Sequence, residues 1–185
     1  IFNSEWSKKQ FLNDLQSFYH KSRKLEVIHQ SINKKKVNLH KKEKLITFVG
    51  KLNSAKGYDI FGNAIIKILN KYSDWKSLVI GDEAREKIYF KHRNLKNLGF
   101  QSHNKVLQIF LKSSIAVACS RWEEPFGRTS LEASSNGCAV IISNRGGLPE
   151  TITDGIILKS LNSSELFKSI ESLIINKKKR LGYQK

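Results

Sequence analysis

Methionine is absent from the 185-residue chain, cysteine occurs twice and histidine five times, and each scarcity removes a class of protein. Cys119 and Cys138 stand alone in apolar surroundings. They read as buried, reduced thiols rather than a disulfide framework, which predicts a cytoplasmic protein. His20, His29, His40, His92 and His103 are scattered without ligand spacing. No Asp-x-Asp occurs, so no metal-held diphosphate and no metal site are expected. No apolar run reaches the ~18 residues needed to cross a bilayer, no secretory leader is visible, and nothing repeats internally. A chain that opens on Ile1 and lacks methionine is expected to be a piece of a longer protein.

Acidic residues are also scarce: 16 against 33 lysines and arginines, a net charge of +17. Such an imbalance suits nucleic acid, an anionic membrane surface, or a plain compositional bias toward lysine. The basic runs Lys34-Lys35-Lys36, Lys41-Lys42 and Lys177 to Arg180 fall in an expected linker and tail. They lack interleaved aromatics that would stack bases, and no zinc-finger spacing accompanies them. No nucleic-acid partner is therefore expected. Compositional bias with peripheral contact at an anionic inner membrane face is the reading carried forward.

What is present alternates regularly. Strands are predicted near Leu45–Val49, Ser77–Ile80, Leu95–Leu98, Ile115–Cys119, Ala139–Ile142 and Gly155–Leu158, with helices filling the gaps. Ile60, Ala64, Ile65, Ile68 and Leu69 recur at helical spacing, as do Leu166, Ile170, Leu173 and Ile174, so each segment should cover a sheet face. The fold class predicted is α/β, a Rossmann-like doubly wound parallel sheet. Its length suits one such domain. Before it, Ile1 to Ser4 reads as a strand end, with Ser4 capping a helix from about Glu5 to Tyr19. Leu25–Ile28 reads as a further strand and Asn33–Lys44 as a basic linker. Residues 1–44 are thus separated from a domain over 45–185.

In such sheets ligands settle beyond the carboxyl ends of the strands, and two segments there carry chemistry. In Glu124-Pro125-Phe126-Gly127-Arg128-Thr129-Ser130-Leu131-Glu132, a loop opens into a helix ended by Gly137. Free amides of Arg128, Thr129 and Ser130 at the helix mouth would welcome a phosphate. A carboxylate beside that phosphate repels it, so Glu132 fits if it accepts hydrogen bonds from neutral hydroxyls such as those of a ribose. Glu124 could serve a hexose likewise. The plainer alternative is that Glu132 merely favours the positive helix end and Glu124 is solvated.

The second segment is Lys51-Leu52-Asn53-Ser54-Ala55-Lys56-Gly57, between the strand Ile46–Gly50 and the helix from Tyr58. Asn53 and Ser54 suit a turn or cap, and Gly57 permits close backbone approach. Lys51 and Lys56 are then counter-charges for a diphosphate, or else ordinary solvated lysines.

The order F-V-G-K-L-N-S-A-K-G, V-I-G-D, L-G-F, E-P-F-G-x4-E and G-G-L-P-E resembles the donor-binding, C-terminal half of family 4 glycosyltransferases, enzymes of the GT-B fold. The resemblance runs from about Leu45 to the C-terminal region. It implies retaining, metal-independent transfer of a sugar from a nucleoside-diphosphate sugar, without a cofactor. It implies further that a glycan or lipid-linked acceptor is held by an N-terminal domain mostly absent here.

Residue by residue, the resemblance places Lys51, Lys56 and the amides of Gly127, Arg128 and Thr129 on the diphosphate, Glu132 on the ribose and Glu124 on the transferred sugar. It also implies that Phe100 and Gln101 flank the base, a plain turn being the alternative, and that Gly50 and Phe126 complete the donor site; by its residues alone Gly146-Gly147 either approaches the sugar phosphate or simply starts a helix. Two positions depart from the family: Lys51 stands where arginine is usual, losing the bidentate fork, and Arg128 stands where an apolar residue is usual. Two other readings stay open. One is a related epimerase or phosphorylase, and the other a non-catalytic module binding nucleotide or an anionic surface.

Overall fold

The computed structural model describes residues 1–14, 24–32 and 36–185. Six parallel strands form one sheet in the order β3-β2-β1-β4-β5-β6: β1 (Glu43–Val49), β2 (Lys76–Ile80), β3 (Leu95–Asn97), β4 (Ser113–Ala118), β5 (Ala139–Ser143) and β6 (Ile156–Leu158). Each overlaps the strand predicted for it. The order reverses between β1 and β4, so their carboxyl ends diverge into loops on opposite sides and leave a crevice, the usual ligand position in an open α/β sheet.

Alternation along the strands builds two cores. Ile46, Phe48, Val79, Ile115, Val117 and Ile141 face one side with α2 (Tyr58–Lys71) and α5 (Ser163–Ile175). Ile80, Ala116, Val140 and Ile142 face the other with α3 (His103–Lys112) and α4 (Arg128–Ser135). The two helical stripes read from the sequence thus lie on the same face. Ile65, Ile68, Leu166 and Ile170 are fully buried there, each contributing about 1.5–3 kcal/mol against exposure.

One gap holds no helix. Residues 81–94, between β2 and β3, run as irregular chain, contrary to the expected alternation. Their apolar residues offer no helical stripe: Ile88 and Phe90 pack on the α2–α5 core, Phe90 edge-on against Tyr58 at 5.6 Å. Glu83 and Glu86 turn back on the β1–α2 loop, accepting from Asn53 Nδ2 at 3.0 Å and from the Ser54 amide at 3.1 Å. The Arg85 guanidinium, then its amide and Asn53, hold the Glu83 carboxyl down at about 2.

The N-terminal segment docks on the sheet's carboxyl rim. Ser4 Oγ accepts from the Ser7 amide at 3.0 Å, capping α1 (Glu5–Asp14) as expected; residues 15–19 of that helix prediction lie outside the described residues. Leu25–Ile28 makes only an isolated parallel bridge, Val27 with Phe2, rather than a strand.

Nor is the basic linker merely solvated. Lys42 is inserted beneath the sheet, donating to Phe110 O at 2.8 Å and to Asn136 O, at the carboxyl ends of α3 and α4. Burial lowers its pKa, while the carbonyls it meets are the negative ends of two helix dipoles. Likewise Lys177–Tyr183 is a helix, α6, rather than a loose tail. Arg180 donates to Leu173 O and Ile174 O and lies over the Trp75 ring at 5.2 Å.

Candidate active site

The β1–α2 loop and the mouth of α4 face each other across one cavity of about 260 Å³. Its lining brings together Gly50, Lys56, Glu124, Gly127, Arg128 and Thr129, all singled out from the sequence. A larger cavity of about 880 Å³ opens at the amino-terminal ends of the strands, beside Lys42, Ser114 and α6. It contains no candidate residue, and its Lys42 and Arg180 are already committed to backbone carbonyls.

The lysine loop is folded by its own side chains. Asn53 Oδ1 accepts from the Lys56 amide at 3.0 Å, and the Gly57 amide donates to Ser54 O at 3.0 Å. Gly57 then starts α2 with φ of 73°. A Cβ there would strike the backbone carbonyl of Cys119, so its smallness serves contact with the end of β4 rather than with a ligand. This close approach carries Lys56 across to the E-x7-E loop, where its ammonium forms an ion pair with Glu124 Oε1.

The mouth of α4 offers amides, but not all of those expected. Ser130 N donates back to Gly127 O at 3.2 Å, reinforced by Ser130 Oγ at 2.7 Å. Among the described residues the amides of Gly127, Arg128 and Thr129 find no acceptor. They leave the positive end of the helix open to an anion. The helix closes as predicted at Gly137: Gly137 N reaches Ser134 O at 2.8 Å and Cys138 N reaches Ala133 O at 3.0 Å, a Schellman motif.

The loop ahead of α4 is held from behind. Glu124 O accepts from the Gly147 amide at 2.7 Å, and Glu123 from the Gly146 amide. A Cβ on Gly146 would overlap the Glu124 backbone. The glycine pair therefore fits backbone against backbone in this structure, ahead of a 3₁₀ turn over Leu148–Thr151. Glu150 in turn accepts from the Glu5 and Trp6 amides at 2.7 and 3.0 Å and bonds His29 at 2.9 Å. Burial pushes its pKa up, but those donors outweigh it and the net shift is downward.

Other candidates lie around this centre. Lys51 is exposed, makes no hydrogen bond or ion pair among the described residues, and is not part of the cavity lining. Phe126 is buried, stacked on His29 at 5.8 Å. Phe100 is exposed at the exit of β3, while Gln101 Nε2 is tied to Leu98 O at 2.7 Å. Backbone bonds from Gly50 N to Ile80 O and from Gly81 N to Gly99 O join these loops into one rim.

Glu132 is buried against a second cavity, of about 330 Å³, that shares Arg128 with the first. Its Oε1 accepts from Arg128 Nε at 3.1 Å and from His103 Nε2 at 3.0 Å. Arg128 therefore folds back along its own helix. No metal-ligand spacing marks His103 in the sequence. Its signal was position: it follows Ser102, whose Oγ caps α3 through the Lys105 amide, directly after the L-G-F-Q loop. Cys119 and Cys138 are buried free thiols, as expected, and burial pushes both up to about 12. No helix among the described residues is long and apolar enough to cross a membrane.

Comparison with known proteins gives the family and the fold. The family described as "Glycosyl transferases group 1" matches residues 29–185. Spore coat protein SA of Bacillus subtilis is 30% identical over 161 residues, which are 78% of this chain and 42% of that protein. The lipopolysaccharide core biosynthesis mannosyltransferase LpsB of Rhizobium meliloti is 27% identical over 132 residues, 66% of this chain and 37% of that one. The chain thus spans roughly two fifths of the length of these curated relatives. Among solved structures, Anabaena Alr3699/HepE in complex with UDP and glucose superposes with a TM-score of 0.78 at 21% identity, covering 99% of this chain and 55% of that one. Its likeness places the sheet among GT-B-like folds.

Proposed function

Because this chain belongs to the group 1 glycosyl transferases, we propose that it forms the donor-binding part of an enzyme that moves a sugar from a nucleoside-diphosphate sugar to a glycan or lipid-linked acceptor. The acceptor would be taken by a further, N-terminal domain. The observation that carries this reading is the convergence of Lys56, Glu124 and the open amides of Gly127, Arg128 and Thr129 on one cavity. A cation, a carboxylate and a helix mouth in one small space suit a diphosphate joined to a sugar. The UDP and glucose bound by the Anabaena protein and the mannosyl transfer in the name of the Rhizobium protein point the same way.

In the proposed reaction the bond between the sugar's anomeric carbon and the diphosphate oxygen breaks, and negative charge grows on the departing phosphate. Lys56 and the amides of α4 stabilise that charge without a metal, with Lys51 as the second cation once the donor is bound. Glu124 accepts hydrogen bonds from the transferred sugar and Glu132 from the ribose, while Phe100 and Gln101 flank the base beyond it. Gly50 and Phe126 shape the floor and the loop. The acceptor hydroxyl oxygen bonds to the anomeric carbon as its proton passes to the departing phosphate oxygen, and the new glycosidic bond keeps the donor's anomeric configuration. Contact of the basic surface with an anionic membrane would bring the enzyme to lipid-linked acceptors.

Titration with UDP, GDP and ADP, each free and carrying a sugar, tests the reading. One nucleotide series should bind, and NMR of the product formed with an acceptor should show the anomeric configuration retained. Free nucleotide released together with an epimerised sugar, or sugar phosphate as product, would replace transfer with an epimerase or phosphorylase. Absence of binding to every nucleotide would contradict the donor site itself.

A further inference from the structure

We propose that His103 is a positioning residue for nucleotide recognition, one that together with Arg128 pins the Glu132 carboxylate by one oxygen and leaves the other for the ribose. The inference rests on the donor-binding reading above. Three observations carry it. First, both donors meet the same atom: His103 Nε2 lies 3.0 Å and Arg128 Nε 3.1 Å from Glu132 Oε1. Among the described residues no donor reaches Oε2. An arginine fork facing a carboxylate usually takes both oxygens, whereas here Arg128 gives only Nε and the histidine fills the rest of Oε1.

Second, the Glu132 side chain is only 9% exposed, whereas those of His103 and Arg128 are 54% and 68% exposed. A carboxylate so enclosed requires partners, and Glu132 lines a cavity together with Gln30, Ser31, Ile32, Arg128 and Leu131. Two donors from two different helices fix its rotamer before any ligand arrives. The ordering that a ribose would otherwise impose on Glu132 is already in place.

Third, the pair of donors resolves an electrostatic conflict. A carboxylate in the first turns of α4 sits close to the helix mouth assigned to the diphosphate and would repel it. Arg128, always cationic, lines both cavities and screens the two anionic groups from each other. His103 adds a bond from α3, whose first residues follow the Leu98–Gln101 loop. The base-flanking loop and the ribose anchor are thereby coupled through one imidazole.

Isothermal titration of the protein with UDP, GDP, ADP and their 2′-deoxy counterparts, and with inorganic pyrophosphate, tests this. For the ribonucleotide that binds, His103→Ala should weaken affinity about tenfold, the usual loss for one hydrogen bond to a charged group. It should narrow the preference over the 2′-deoxy form and leave pyrophosphate affinity unchanged. His103→Gln, whose amide can donate from nearly the same place, should restore most of the preference. In turnover assays the donor KM should rise while kcat changes less than about twofold, since the bond is equally present in ground and transition states.

Unchanged ribonucleotide affinity in His103→Ala would overturn the proposal, as would an equal loss for pyrophosphate. If affinity depends on Lys56 but not on His103, the donor site stands and only the role of His103 falls. If the unaltered protein binds no nucleotide, both fall.

Discussion

Lys56 and Glu124 form an ion pair across the candidate site although 68 positions separate them in the chain. Their side chains are 30% and 17% exposed, so each partner is substantially withdrawn from water. In the proposed function an arriving phosphate would take Lys56 away from Glu124, and the released carboxylate would then accept from the sugar hydroxyls. On that reading the pair would couple the two halves of the donor.

Replacing Glu124 with glutamine removes the competitor for Lys56 without changing the side chain's shape. Affinity for inorganic pyrophosphate should rise several-fold by titration, while turnover falls. Lys56→Ala should lower both, with a rate loss of about 10²–10³ for a missing oxyanion stabiliser. Tighter pyrophosphate binding in Lys56→Ala would contradict the assignment.

Lys42 is a structural cation outside the candidate site, at the amino-terminal rim of the sheet. Lys42→Met leaves the Asn136 carbonyl without its donor, while Phe110 O keeps the Ser113 amide and Cys138 Sγ, and an unsatisfied buried acceptor costs about 1–3 kcal/mol. Denaturant unfolding should show a loss of that order, with nucleotide affinity unchanged. A variant as stable as the parent would show that water replaces the ammonium at no cost.

Two buried thiols give the fold an alkaline liability. Cys119 and Cys138 are held up to about 12 by burial, whereas an unfolded thiol ionises near 8.5. Between those values the unfolded chain binds fewer protons than the folded one, so stability falls as pH rises, by up to about 1.4 kcal/mol per pH unit for each thiol. The slope between pH 9 and 11 should be shallower for Cys138→Ala than for the parent. Below pH 8 neither thiol should react with iodoacetamide until the protein unfolds.

Glu150 tests how the N-terminal segment is held. Its carboxylate stays ionised to lower pH than usual because the Trp6 and Glu5 amides and His29 outweigh the effect of burial. That contribution is present above the ordinary carboxylate range near 4.3 and lost as pH falls through the lowered folded value. Glu150→Gln should loosen the start of α1 by about 0.5–2 kcal/mol, a typical capping loss. Faster hydrogen exchange at the Glu5 and Trp6 amides would report it; unchanged protection would mean that Ser4 and Ser7 on Pro125 O suffice.

Strand positions were legible because apolar runs such as Ile115–Cys119 and Ala139–Ile142 are bounded by polar loops, and a central parallel strand must be apolar on both faces. The end of α4 was legible from Gly137. Residues 81–94 were not, because their shape is set by side chains reaching another loop, Glu83 to Asn53 and Glu86 to Ser54, and no local period records such contacts. The candidate site was legible as residue types at a strand's exit. Its pairings were not. Lys56 with Glu124 and Glu132 with His103 depend on how β1, β4 and α3 converge, while Lys42 and Arg180 looked like surface charge until their helix-end and ring partners appeared.

The most direct test is a crystal structure of the protein with its nucleoside diphosphate bound. The diphosphate should lie between the amides of Arg128 and Thr129 and the Lys56 ammonium, with the Lys56–Glu124 pair parted and the ribose on Glu132. A nucleotide seated elsewhere, with that ion pair intact, would contradict it.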